Sequence, residues 1–153
     1  MSEPIAYFLT WTTYGTWLSG DDRGWVDHKD AGAHVPYKPA NVALSAAMTK
    51  AMGQEAVRFS ERQRTTVEES IRESCRLNNW TVHALGVRSN HVHVVLSSGN
   101  AAPEKVMTHL KAYASRALND IFGPRRWWTR HGSTRYVKTA SSLFKAVEYV
   151  EHQ

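Results

Sequence analysis

The run Trp80-Thr81-Val82-His83-Ala84-Leu85-Gly86-Val87-Arg88-Ser89-Asn90-His91-Val92-His93-Val94-Val95-Leu96 decides the fold. Both halves are rich in β-branched and apolar residues, and Arg88-Ser89-Asn90 between them is a turn signal, so the run predicts a β-hairpin. Along its second strand the side chains alternate: Val92, Val94 and Leu96 point into a core, while His91, His93 and Val95 leave by the other face. Working outward, residues 41–78 are mostly helix formers. Within them Arg62 to Leu77 carries Val67, Ile71, Ser74 and Cys75 at three- and four-residue spacing, the pattern of a helix laid by one face on a sheet. Further upstream, Ile5 to Tyr14 is dense in aromatic and β-branched residues and reads as the first strand. Gly15 to Pro39 reads as a long loop, and the carboxylates of its Ser19-Gly20-Asp21-Asp22-Arg23-Gly24 stretch are turn formers.

Downstream, Pro103 opens a helix, Val106, Leu110, Tyr113, Ala117 and Ile121 form its expected apolar stripe, and Gly123-Pro124 stops it. Arg125 to Ser133 reads as a basic and aromatic loop, and Arg135-Tyr136-Val137-Lys138 as a short strand. Ser141-Ser142 are expected to cap a last helix that buries Leu143, Val147 and Val150. The order β-α-β-β-α-β-α contains the split βαβ, ferredoxin-like plan. This is an α+β fold in which helices cover one face of an antiparallel sheet and leave the other open to ligands, here with an added C-terminal helix. No repeat or linker divides the chain, so one domain over residues 1–153 is expected.

Composition narrows the function. Among 153 residues, 19 Lys and Arg against 14 Asp and Glu leave a net charge of +5, which favours an anionic partner such as nucleic acid. The single cysteine, Cys75, excludes an internal disulfide framework and a thiolate zinc finger. There is no basic start followed by an apolar run, and no stretch approaching the roughly 18 apolar residues that span a bilayer, so a cytoplasmic protein without membrane contact is expected.

Two imidazoles held side by side on a strand, His91 and His93, are a natural pair of metal ligands, although alone they read more readily as two strand histidines without a joint task. Tyr149 and Gln153 stand four apart on the last helix and share a face; beside the histidines they would add a phenol nucleophile and an amide oxygen ligand. Tyr113 is the competing nucleophile, but it falls within the apolar stripe and has no Gln or Asn four residues on. His109, one turn earlier, reads as a polar edge residue. In the segment before the last strand, Arg125, Arg126, Arg130 and Arg135 interleave with Trp127, Trp128 and His131. Guanidinium groups bind phosphates and indoles stack unpaired bases, so a DNA surface is expected here, with Lys105 and Lys111 extending it, one Trp structural and most arginines facing DNA.

Asn90-His91-Val92-His93-Val94-Val95-Leu96 followed by Tyr149-Val150-Glu151-His152-Gln153 resembles the single-tyrosine HUH transposases. These are the small enzymes of the IS-two-hundred/IS-six-hundred-five insertion-sequence type and their REP-associated tyrosine transposase relatives. The resemblance extends over Leu9-Thr10-Trp11, the helix from His109 to Asn119, Trp128 and the Tyr136 strand. It implies a metal-dependent single-stranded DNA transposase in which His91, His93 and the Gln153 amide oxygen hold Mg²⁺ or Mn²⁺. Tyr149 would attack phosphorus, release a 3′-hydroxyl and keep a 5′-phosphotyrosine link, so that strands are rejoined without ATP. It also implies single-stranded or hairpin DNA as partner, a homodimer that sometimes pairs each tyrosine with the other subunit's histidines, and a place beside the nucleoid. The alternatives are a domesticated or inactive hairpin-DNA-binding relative and, third, a replication or conjugation nickase, a class whose members are usually larger. Gln153 is the last residue of the sequence, so this ligand is expected on a fraying helix end.

Overall fold

A computed structural model of the chain describes residues 3–16 and 54–153. Most of the expected loop at 15–39, with its Ser19–Gly24 turn, and the 41–53 part of the helix-forming stretch lie outside the described residues. The elements are β1 (Ala6–Thr13), α1 (Glu61–Leu77), β2 (Thr81–Val87), β3 (His91–Ser97), α2 (Pro103–Phe122), β4 (Trp128–Val137) and α3 (Ala140–Glu151). The sheet runs β2-β3-β1-β4 with every neighbouring pair antiparallel. This is the α+β split plan expected from the element order. Among the described residues no helix is long and apolar enough to cross a membrane.

The two faces of β3 organise the rest. Val92, Val94 and Leu96 join Leu9 and Trp11 beneath α1 and α2, where Val67, Ile71, Cys75, Val106, Leu110 and Leu118 complete the main core. Val95 looks the other way with Ala6, Ala84 and Val137, and Val150 of α3 closes over them, flanked by Leu143, Ala146 and Val147. α1 begins in a capping box: Gln63 N donates to Ser60 Oγ at 3.1 Å and Ser60 N donates to Gln63 Oε1 at 2.9 Å.

Three expectations change. The buried stripe of α2 is Val106, Met107, Leu110, Ala114 and Leu118; Tyr113 and Ala117 are half-buried and Ile121 is 49% exposed. Beyond Leu110 the stripe advances in steps of four, which places the small Ala114 rather than the bulky Tyr113 where α2 meets the core. At the start of α3, Thr139, not Ser141 or Ser142, is the cap, with Ser142 N donating to Thr139 Oγ1 at 3.0 Å.

The third change is the largest. Trp128 to Ser133 is not loop but the first part of β4, paired to β1 from Ala6↔Val137 to Thr13↔Trp128 with an irregularity between Trp11 and Thr13. An edge strand needs burial on few of its positions, so its polar residues carried no strand signal; backbone pairing holds it. One of the two indoles is expected from sequence to be structural; both are core residues, Trp127 being 2% and Trp128 8% exposed. Trp127 Nε1 donates to Asn119 Oδ1 at 2.7 Å, Trp128 Nε1 donates to the Lys111 carbonyl at 3.0 Å, and both rings pack against Phe59.

Trp127→Ala should therefore cost about 3–5 kcal/mol of stability by urea unfolding, the range for emptying a buried aromatic site. Gly132→Ala should be harmful despite its exposed position. A Cβ there would lie 2.6 Å from both Met107 Sδ and the Thr10 carbonyl oxygen, and the β1 backbone cannot yield. Its urea midpoint should fall well below that of the neighbouring Ser133→Ala.

Candidate active site

β3 presents both imidazoles on the face away from α1 and α2. The His91 and His93 ring centroids are 4.6 Å apart and nearly perpendicular, at 89°. Asn90 Oδ1 sits 2.8 Å from His91 Nδ1; with the amide oxygen accepting, Nδ1 carries the proton and Nε2 is the lone-pair nitrogen. His93 is 2% exposed and its Nε2 is buried with no hydrogen-bond partner. Burial first, then the neighbouring His91 and Arg88, push its imidazole down from 6.5 to about 4. His93 is thus neutral at pH 7, the form a metal ligand must take. The room for its ring comes from Gly86 on β2, where a Cβ would stand 3.1 Å from His93 Cδ2 and 3.3 Å from Val150 Cγ1.

α3 brings the phenol. The Tyr149 ring lies 5.9 Å from the His93 ring and 5.9 Å from Phe8, and Gln153 Nε2 donates to the Tyr149 hydroxyl at 2.7 Å. The expected fraying end is thereby tied back to the last turn of its own helix. Arg88 Nη2 donates to the Val150 carbonyl at 3.3 Å, fastening that turn to the hairpin just before β3. A cation is well placed at a helix C-terminus, where the carbonyls lack internal donors. Tyr149 remains 53% exposed, so an incoming phosphate can reach it. The four side chains form a line of contacts, from His91 to His93, from His93 to Tyr149 and from Tyr149 to Gln153.

Among the described residues no three His, Cys, Asp or Glu side chains assemble as a metal cage. The pair would be completed by the Gln153 amide oxygen and by oxygens from outside the protein. Two imidazoles and an amide oxygen suit a divalent first-row ion such as Mn²⁺ more closely than Mg²⁺, which prefers oxygen ligands, and the orphaned His93 Nε2 is the atom such an ion would satisfy.

The residues expected to touch DNA divide. Arg135 is exposed on β4 opposite Phe8, on the histidine face, and Arg130 is exposed on the same strand. Arg125 lies over the Trp127 ring at 5.3 Å and donates from Nη2 to the Glu55 carbonyl at 3.1 Å, while Arg126 lies over Tyr14 at 5.2 Å. Lys105 and Lys111 belong to α2, in the helical layer behind the sheet. Lys111 Nζ donates to the Thr129 carbonyl at 2.8 Å, and burial pushes its ammonium down from 10.5 to about 8. That lysine is a structural donor. Tyr113 and His109 stack on each other in the same layer, with Arg116 over the tyrosine and Trp80 against the histidine. Both belong to α2, in the helical layer on the other side of the sheet from the histidine pair.

Sequence reasoning missed Gly86, Arg88 and Asn90 as parts of the site. Asn90 and Arg88 were legible only as turn residues, although a charged side chain between two apolar strands is itself a signal. Gly86 carried none, because its importance lies in what it leaves out.

The family model described as Transposase IS200 like matches residues 44–153. The chain belongs to that family. Among solved structures the chain is similar to a REP-associated tyrosine transposase bound to a REP hairpin, at 11% identity and a TM-score of 0.56, covering 98% of this chain and 66% of that one. It is also similar to a candidate transposase from Deinococcus radiodurans R1, at 14% identity and a TM-score of 0.51, covering 100% of this chain and 93% of that one. At these identities the likeness is one of fold. The chain spans 66% of the length of the first structure. No curated protein matches it.

Gly86→Ala should crowd His93 and weaken Mn²⁺ binding by about tenfold or more in isothermal titration, with the circular dichroism spectrum unchanged. For Lys111 the folded value lies below the unfolded one, so the unfolded chain holds the proton longer and stability rises with pH between about 8 and 10.5. Lys111→Met should remove that rise, read as the difference between the two proteins' urea midpoints across the pH range.

Proposed function

We propose that the chain is a divalent-metal-dependent transposase that cuts and rejoins single-stranded DNA through a 5′-phosphotyrosine link at Tyr149. The observation that carries this reading is the Tyr149 ring 5.9 Å from His93, with the Gln153 amide on its hydroxyl. Family membership, the net charge of +5 and the hairpin-bound structural neighbour support it and point to hairpin DNA as the partner.

In this reading His91, His93 and the Gln153 amide oxygen hold Mg²⁺ or Mn²⁺. The bound ion supplies Lewis-acid neutralisation of charge on the scissile phosphate oxygens. Tyr149 Oη forms the new bond to phosphorus and gives up its proton to solvent. The bond to the 3′ oxygen breaks, and that oxygen leaves as a hydroxyl after taking a proton. Attack by a 3′-hydroxyl on the phosphotyrosine runs the same exchange backwards and restores Tyr149; one phosphodiester replaces another, so no nucleotide triphosphate is consumed. Gln153 Nε2 donates into Oη throughout. That hydrogen bond strengthens as negative charge develops, because bonds to ionised acceptors are about twice as strong as neutral ones. His93 stays neutral and fixed between β2 and α3, while Arg88 holds the tyrosine turn against the hairpin. A homodimer working beside the nucleoid completes this reading.

Incubation with a single-stranded hairpin oligonucleotide and Mn²⁺, followed by denaturing electrophoresis, should give a covalent protein–DNA band. Tyr149→Phe should abolish the band and Tyr113→Phe should retain it, while His91→Ala should lose the band that Mn²⁺ produces in the parent. Loss of the band in Tyr113→Phe alone would overturn the nucleophile assignment. Binding with no adduct under any divalent ion would make the protein a hairpin-binding relative instead.

A further inference from the structure

Among the described residues the histidine face is covered chiefly on one side. α3 lies over β2 and β3, and the Arg88 bond to Val150 fastens it there. On the β1 and β4 half of the same face α3 reaches only the end at Ala6, Phe8 and Val137, and among the described residues no other helix packs there. The register lines up what this open half displays. Thr10 stands directly opposite His93 on one side and Ser133 on the other, and Arg135 follows Ser133 on the same face, opposite Phe8. With neighbouring strands about 4.8 Å apart, the row from His93 through Thr10 to Ser133 extends about 10 Å from the site to the sheet edge.

The chemistry of that row is uniform. Thr10 is half-buried, and Ser133 and Arg135 are exposed. Neither hydroxyl nor the guanidinium has a side-chain partner among the described residues, so all three have donors to offer. Beside them Thr12 and Thr129 are already satisfied: their hydroxyls meet at 2.8 Å, and Thr129 Oγ1 donates to the Thr12 carbonyl at 3.2 Å. That pair closes the floor of the row rather than binding anything. β1, β3 and β4 contain no carboxylate at all. A polar strip with free donors, one unpaired arginine and no negative charge is complementary to a phosphodiester backbone.

We infer that single-stranded DNA leaves the histidine pair across β1 and β4, with its backbone on Thr10, Ser133 and Arg135. The Trp127–Trp128 segment that composition singled out does not carry it. The inference rests on the reading above for the identity of the ligand, but its evidence is the register and the unpaired donors. These residues act on binding and on the path of the strand, not on the chemical step.

The test uses the full chain carrying Tyr149→Phe, in EDTA, with a fluorescently labelled mixed-sequence single strand followed by anisotropy across a salt series. Removing one phosphate contact flattens the slope of log affinity against log salt by about 0.7 on a single strand. Arg135→Gln should show that change and weaken binding, and Ser133→Lys should do the reverse, tightening binding and steepening the slope by about the same amount. Thr10→Val should weaken binding with the slope unchanged, as a neutral donor releases no counterion. Arg76→Gln, exposed at the end of α1 in the other layer, should leave the slope within error. If Arg135→Gln and Ser133→Lys both bind as the parent does, the path is wrong even though DNA binding stands. If the parent binds no single strand at any salt, the reading of DNA as substrate fails, and this inference with it.

Discussion

β3 has to be buried on both faces, and the rest of the molecule follows from how that is achieved. Because side chains alternate along a strand, one slip of register would exchange the valines for the histidines. Val92, Val94 and Leu96 are wholly enclosed beneath the helical layer, which sets the register firmly. His91 and His93 are therefore delivered to the opposite face as a consequence of hydrophobic packing that they take no part in. The polar pair comes to rest on a rigid platform, and the second, smaller cluster around Val95 and Val150 then decides where α3 can lie.

That division explains what sequence could and could not show. The order of elements, the hairpin, the outward-facing histidines and the Tyr149–Gln153 face were legible because each is a matter of local periodicity. β4 was not. An exposed edge strand is specified by the backbone of its neighbour, and side chains such as Arg130, His131 and Ser133 give no period to read. The two tryptophans misled for a related reason: an indole in a basic stretch has the composition of a nucleic-acid loop. Only the third dimension places Asn119 and the Lys111 carbonyl where they take up both N–H groups.

The site itself was half legible. Residue types that perform chemistry announce themselves, whereas residues that make room or hold position do not. Gly86 acts by lacking a side chain, Arg88 by reaching a carbonyl sixty-two residues away in sequence, and Asn90 by orienting the ring next to it. Each of these contacts is decided by tertiary structure and leaves no spacing rule behind. The strip of Thr10 and Ser133 lies between these cases: Thr10 alternates visibly with Leu9 and Trp11 on β1, but its relation to Ser133 and to His93 exists only through pairing.

The helix that carries Tyr149 rests on the second, smaller cluster, apart from the main core beneath the other two helices. Elements that bury fewer apolar contacts open at a lower free energy than the core they lie on. α3 therefore belongs to the part of the molecule that opens first, and the phenol rides on an element that can come away while the sheet and its two histidines stay folded.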